Sequence, residues 1–115
     1  MAPAVEEHLQ ARIVTDAPLF RPVPVRLRYD AADDPRTVRI ALPGGSEWAF
    51  PRELLEAGLR APARRDDVGI WPCGRVQTVL EFHSPQGVAV LQFDSAPLLR
   101  FLRRTYTASA APARR

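Results

Sequence analysis

The chain has 115 residues, enough for one modest core and a single domain. Hydrophobic residues make up 46% and charged residues 25%, a globular balance that excludes wholesale disorder. The formal net charge is +3, all 16 basic residues are arginine, and the 12 prolines are about twice the usual share.

The charge is uneven along the chain. Residues 1–99 carry 11 arginines against 13 acidic residues, whereas residues 100–115 carry five arginines and no acid. The pI near 10.0 therefore comes from one helix face and a tail. A nucleic-acid module usually spreads its basic face over the fold. Cys73, alone in the chain, leaves no intrachain disulfide and no cysteine-cluster metal site. The opening MAPAVEEHLQ has no basic region followed by an apolar one, and no apolar run is long enough to span a bilayer. The chain reads as cytoplasmic.

In chain order, residues 1–7 read as a flexible N-terminus, and His8–Val14 as a half-buried strand with Leu9, Ala11 and Ile13 on one face. Asp16–Pro22 reads as a loop. In Val23–Tyr29 the apolar Val23, Val25, Leu27 and Tyr29 alternate with Arg26 and Arg28, and Pro24 marks an edge position or a strand beginning. Asp30–Pro35 is a turn whose aspartates can bond local backbone. Thr37–Leu42 and Glu47–Phe50 are two further strands around a tight reversal at Pro43-Gly44-Gly45-Ser46.

A two-turn helix follows, with Pro51 in its first turn and Gly58 as the left-handed residue past its end. It is too short to be stable alone, so Leu54 and Leu55 must dock on the strands. Arg60–Asp67 reads as a loop, and Val68–Trp71 as a strand stopped by Pro72. Arg75–His83 is a longer strand with Val76, Thr78, Leu80 and Phe82 on one face. Ser84-Pro85-Gln86-Gly87 turns it back into Val88–Phe93. Asp94 or Ser95 then caps a second helix with Pro97 in its first turn. This helix runs to about Tyr106, with Leu98, Phe101, Leu102 and Tyr106 on one side and Arg100, Arg103 and Arg104 on the other. Residues 108–115 read as a flexible basic tail. The expected fold is α+β, antiparallel strands then a helix, twice over.

The chemistry in the sequence is sparse. His8 and His83 are far apart on polar sides of strands, with no serine or cysteine set beside them. The doublets Glu6-Glu7, Asp33-Asp34 and Asp66-Asp67 lack calcium-loop spacing and read as solvated turns. No catalytic, cofactor-binding or metal-ligating residue is assigned. Trp48, Trp71, Phe82 and Tyr29 with Arg26, Arg28 and Arg75 could form a stacking platform for single-stranded nucleic acid. In residues 23–29, however, the aromatic and basic side chains fall on opposite faces, which favours packing roles. The exposed face of Arg100, Arg103 and Arg104 is the best candidate for an acidic protein partner.

One extended pattern is more specific than any short motif. It comprises Val23-Pro24, Leu27-Arg28-Tyr29-Asp30 and Asp34-Pro35, then Glu47-Trp48-x-Phe50-x-Arg52-x-Leu54-Leu55, Gly58-Leu59, Pro62, Asp67-Val68 and Trp71-Pro72. It continues through Ser84-Pro85-x-Gly87 to Phe101-Leu102-Arg103-Arg104-Thr105. The pattern resembles the SsgA-like proteins of sporulation-specific cell division in filamentous, spore-forming bacteria, over residues 8–107. The resemblance implies a non-enzymatic protein that positions the tubulin-like division protein FtsZ and influences septal wall remodelling. It also implies a fold similar to the whirly-type single-strand-binding fold, assembled as a homotrimer. Family members commonly carry a longer C-terminal segment. The rival expectation is a single-stranded nucleic-acid-binding module.

Overall fold

The computed structural model of the protein describes residues 4–14 and 21–110. Four antiparallel strands, β1 (Ala4–Ile13), β2 (Arg21–Asp30), β3 (Asp34–Ala41) and β4 (Glu47–Pro51), lead into helix α1 (Arg52–Gly58). Four more, β5 (Ala63–Arg65), β6 (Val68–Cys73), β7 (Gln77–Ser84) and β8 (Gly87–Asp94), lead into helix α2 (Ser95–Ala110). All eight form one sheet in the order β4-β3-β2-β1-β8-β7-β6-β5. Each set of four is thus a meander, and the two join where Arg12 and Ile13 of β1 pair with Gln92 and Leu91 of β8. The predicted order of strands then helix, twice, is present.

The inner face of the sheet carries the alternation read from the sequence. Val23, Val25, Leu27 and Tyr29 of β2 are buried, as are Val38 and Ile40 of β3 and Leu80 and Phe82 of β7. The sheet curls enough for opposite ends to meet: Trp48 of β4 lies 5.1 Å from Phe82 of β7, ring centre to ring centre, and Phe50 lies 6.5 Å from it. One apolar core, including Leu54 and Leu55 of α1 and Leu98 and Phe101 of α2, therefore runs through both halves. Each of these buried leucines contributes about 1.5–3 kcal/mol relative to exposure.

Several boundaries differ from the sequence reading, each for an identifiable reason. β1 begins at Ala4, within the segment read as flexible, because Ala4–Glu7 pair with Leu27–Asp30 and Val5 enters the core. β2 begins at Arg21; residues 16–20 of the predicted loop lie outside the described residues. Pro22 and Pro24 sit in a strand with neighbours on both sides, yet β3 pairs with β2 only from Arg26 onward. The prolines thus occupy the part of β2 with one open side, where a missing N–H costs no ladder bond. Pro72 repeats this device. It does not stop β6, which continues to Cys73 opposite Gln77, because β5 covers β6 only from Val68 to Ile70.

The segment read as the loop Arg60–Asp67 contains β5, a three-residue strand without alternation, turning back through Asp66 at φ 54°. Val76 belongs to the turn before β7 and is exposed, so it leaves the apolar face predicted for it. Pro51 stands at the N-cap position just before α1, with φ −63° and ψ 140°. Gly58 does not take the left-handed conformation expected of it. It is the last residue of α1, buried against β6, where an added Cβ would lie 2.3 Å from Ile70 Cγ2 and 2.9 Å from the Ile70 carbonyl oxygen. Its role is close approach. α2 continues past Tyr106 to Ala110, taking in the first residues of the predicted tail; residues 111–115 lie outside the described residues.

Candidate partner surfaces

α2 is amphipathic in the predicted sense. Leu98, Phe101, Leu102 and Thr105 are buried, while Arg100, Arg103 and Arg104 are exposed. The three arginines are not equivalent. Arg104 Nη1 donates to Glu7 Oε2, tying α2 to β1 through an acid from the segment read as flexible. Arg100 and Arg103 have no carboxylate within salt-bridge distance among the described residues. Both side chains face solvent.

The family-motif residues mostly build the interior. Trp48, Phe50, Leu54, Leu55 and Gly58 belong to or pack against the core. Tyr29 is buried, and its hydroxyl donates to the Pro35 carbonyl at 2.8 Å, across the irregularity where β3 bulges away from β2. Trp71 and Pro72 lie on β6 and are half-buried, Trp71 on the outer face opposite Val79. Trp71 is therefore separated from Trp48, Phe82 and Tyr29 by the sheet itself. The four aromatic rings do not form a common stacking platform.

Arg52, which in the sequence stands out only as part of the family pattern, joins three elements. Its Nη1 donates to the Tyr29 hydroxyl at 3.0 Å, the Thr105 carbonyl at 3.1 Å and the Ser109 hydroxyl at 3.0 Å. Its guanidinium stacks over Tyr106 at 3.9 Å from the ring centre and over Tyr29 at 5.2 Å. One side chain thus connects β2, α1 and α2. Tyr106 in turn donates to Glu56 of α1, and that bond, with burial, pushes its phenol above the ordinary tyrosine range. The sequence signal was the pairing of one arginine at the start of α1 with two tyrosines, without spacing to reveal it.

A cleft of about 690 Å³ opens beside this cluster. Arg36 and Thr37 come from the bulged part of β3, Phe50 from β4, Arg52 and Glu53 from α1, Arg65 from β5 and Tyr106 from α2. A second, apolar groove of about 540 Å³ lies where β1 meets β8, lined by Val14, Pro24, Leu42 and Val88 among others.

The remaining polar side chains form a ladder on the outer face. Arg64 of β5 reaches across Gly69 of β6 to Glu81 of β7 at 2.7 Å, and a Cβ at Gly69 would come within 3.1 Å of the Arg64 Nη2 atom. His83 Nε2 lies 2.9 Å from the same carboxylate oxygen. The imidazole, and then the guanidinium, hold the Glu81 carboxyl below its usual range. His8 is exposed near Glu6. Cys73 is exposed and receives Gln92 Nε2 at 3.7 Å. Among the described residues no three His, Cys, Asp or Glu side chains group as metal ligands, and no helix is long and apolar enough to cross a membrane.

Comparison with known proteins places the chain. Residues 23–113 match the family described as Streptomyces sporulation and cell division protein, SsgA. The sporulation-specific cell division protein SsgB of Kineococcus radiotolerans is 40% identical over 108 residues, covering 87% of this chain and 65% of that protein. The chain thus spans just under two thirds of that relative's length. An SsgB structure, from work on SsgB mutations that correlate with longitudinal cell division during sporulation of Streptomyces coelicolor, superposes with a TM-score of 0.86 at 38% identity. That match covers 94% of this chain and 88% of the other. The SsgA-like sporulation-specific cell division protein of Thermobifida fusca superposes with a TM-score of 0.84 at 31% identity, covering 94% and 84%. The antiparallel, strand-rich architecture with two helices is that of these relatives, and the chain belongs to the SsgA-like family of sporulation and cell division proteins.

Proposed function

We propose that this chain is a non-enzymatic regulator of sporulation-specific cell division, acting in septum-site selection or assembly by contact with FtsZ or an associated factor. Family membership supports the division role. The observation that carries a contact mechanism is the exposed side of α2, where Arg100 and Arg103 stand beside Arg104 with no carboxylate partner among the described residues. An acidic segment of a division protein is the complementary surface. The protein works in the cytoplasm and is recruited to division septa. The two meander-plus-helix units are in keeping with a whirly-type fold, and in the homotrimer that the family resemblance implies, three linked weak contacts would give avidity on a polymeric partner.

Titration of purified FtsZ with this chain tests the reading. Replacing Arg100, Arg103 and Arg104 together by alanine is expected to weaken the contact by about tenfold while leaving the fold intact. Tight binding of single-stranded DNA with a steep salt dependence, and no effect on FtsZ, would overturn it. Light scattering is expected to give a mass near three chains; a clean monomer at high concentration removes the trimer.

A further inference from the structure

We propose that the cleft between the two outermost strands, β4 and β5, binds an acidic, extended segment of a partner protein through Arg36 and Arg65. This site is separate from the basic face of α2. Its charge is the first argument. Three arginines line it, Arg36, Arg52 and Arg65, against one acid, Glu53. Arg36 and Arg65 are exposed, and among the described residues no carboxylate lies within salt-bridge distance of either guanidinium. Arg52 is held by neutral oxygens and aromatic rings, so its positive charge is positioned without being cancelled.

The neighbouring strand residue sharpens the point. Arg64 and Arg65 are adjacent in β5, and side chains alternate faces along a strand. Arg64 is engaged by Glu81 on the outer face, while Arg65 lines the cleft with no salt-bridge partner among the described residues. Guanidinium groups at both walls match carboxylates spaced along one peptide, each able to form a two-pronged bond.

The walls favour an extended occupant. β4 and β5 end the sheet, each pairing with a single neighbour, so one side of each strand has no ladder partner within the sheet, the arrangement to which an extended segment can add. The volume of about 690 Å³ lies inside the range of roughly 300–1,000 Å³ typical of binding clefts. Nucleic acid fits less well. Phe50 is only 3% exposed, and one face of the Tyr106 ring is already covered by Arg52, so the cleft offers no open aromatic platform for bases.

The probe is a short fluorescent peptide of alternating aspartate and leucine, titrated into the full chain by anisotropy, beside its asparagine–leucine counterpart and labelled oligothymidylate. Saturable binding of the aspartate peptide is expected. It should weaken about tenfold in each of R36Q and R65Q, and the variant lacking Arg100, Arg103 and Arg104 should keep it. E53Q should tighten it about threefold by removing the competing acid, a gain that no loss of structure would produce. No saturable binding, equal binding of the asparagine peptide, or binding indifferent to R36Q and R65Q would each overturn the proposal. So would oligothymidylate binding at Arg36 and Arg65 in place of the peptide.

Discussion

α1 and α2 each close a four-stranded meander, but α1 has seven residues and α2 has sixteen. α1 is wedged against β3, β4, β5 and β6, with Leu55 fully buried and Gly58 pressed onto Ile70. α2 covers the core with one face and turns Arg100 and Arg103 to solvent with the other. The comparison separates two uses of the same motif. The first helix brackets the two halves of the sheet together, and the second supplies a free charged surface. Arg52, reaching from α1 onto α2, is the point where they are coupled.

Substitutions at three positions bear on this contrast. The largest effect is expected from Gly58→Ala. The new methyl group meets both the Ile70 side chain and its backbone carbonyl, and the carbonyl is fixed in the sheet. Urea denaturation should show a loss of about 3 kcal/mol. A change below about 0.5 kcal/mol would mean that α1 is not wedged as described.

Next comes Arg52→Ala, which removes the stacking on Tyr106 and the bonds to Tyr29, Thr105 and Ser109. Because the group is half-exposed, about 2 kcal/mol is expected rather than the sum of these contacts. Arg52→Lys should recover less than half of it, since an ammonium lacks the planar fork and stacks poorly. Full recovery by lysine would assign the coupling to charge alone.

The smallest effect concerns the outer face, which neither helix touches. Glu81→Gln should cost about 0.5 kcal/mol at neutral pH, the scale of an ion pair whose arginine is half open to solvent. Its pH dependence is more informative. The folded Glu81 pKa lies below the ordinary value, so the unfolded chain takes up its proton first as pH falls. The stabilisation is present above about pH 4.5, the ordinary glutamate value, and is lost as pH falls through the lower folded pKa. Wild type and Glu81→Gln should therefore converge in midpoint in acid and separate toward neutral pH. Parallel curves would show that Arg64 and His83 do not act on this carboxylate.

Much of the fold was legible because period-two alternation survives wherever one face of a strand is buried, as in residues 23–29 and in Thr78, Leu80 and Phe82. The short strand β5 was not legible. It has no apolar face, and its place in the sheet depends on pairing with β6 and on Arg64 finding Glu81 across Gly69. The basic face of α2 could be read from helical spacing, whereas the cleft could not. Arg36, Arg52 and Arg65 are far apart in sequence and converge only because the sheet curls and α1 holds its two ends near each other.

The sequence by itself determined the strand alternation, the turn at Pro43–Ser46, the amphipathic side of α2 and the family pattern running through Trp48 and Trp71. These depend on neighbours a few residues away, or on residue identity alone. The tertiary structure decided why Pro24 and Pro72 are tolerated, why residue 58 has no side chain, and which arginines are paired. Each of those depends on what a distant strand leaves open or fills, and that partner is set by the curl of the whole sheet.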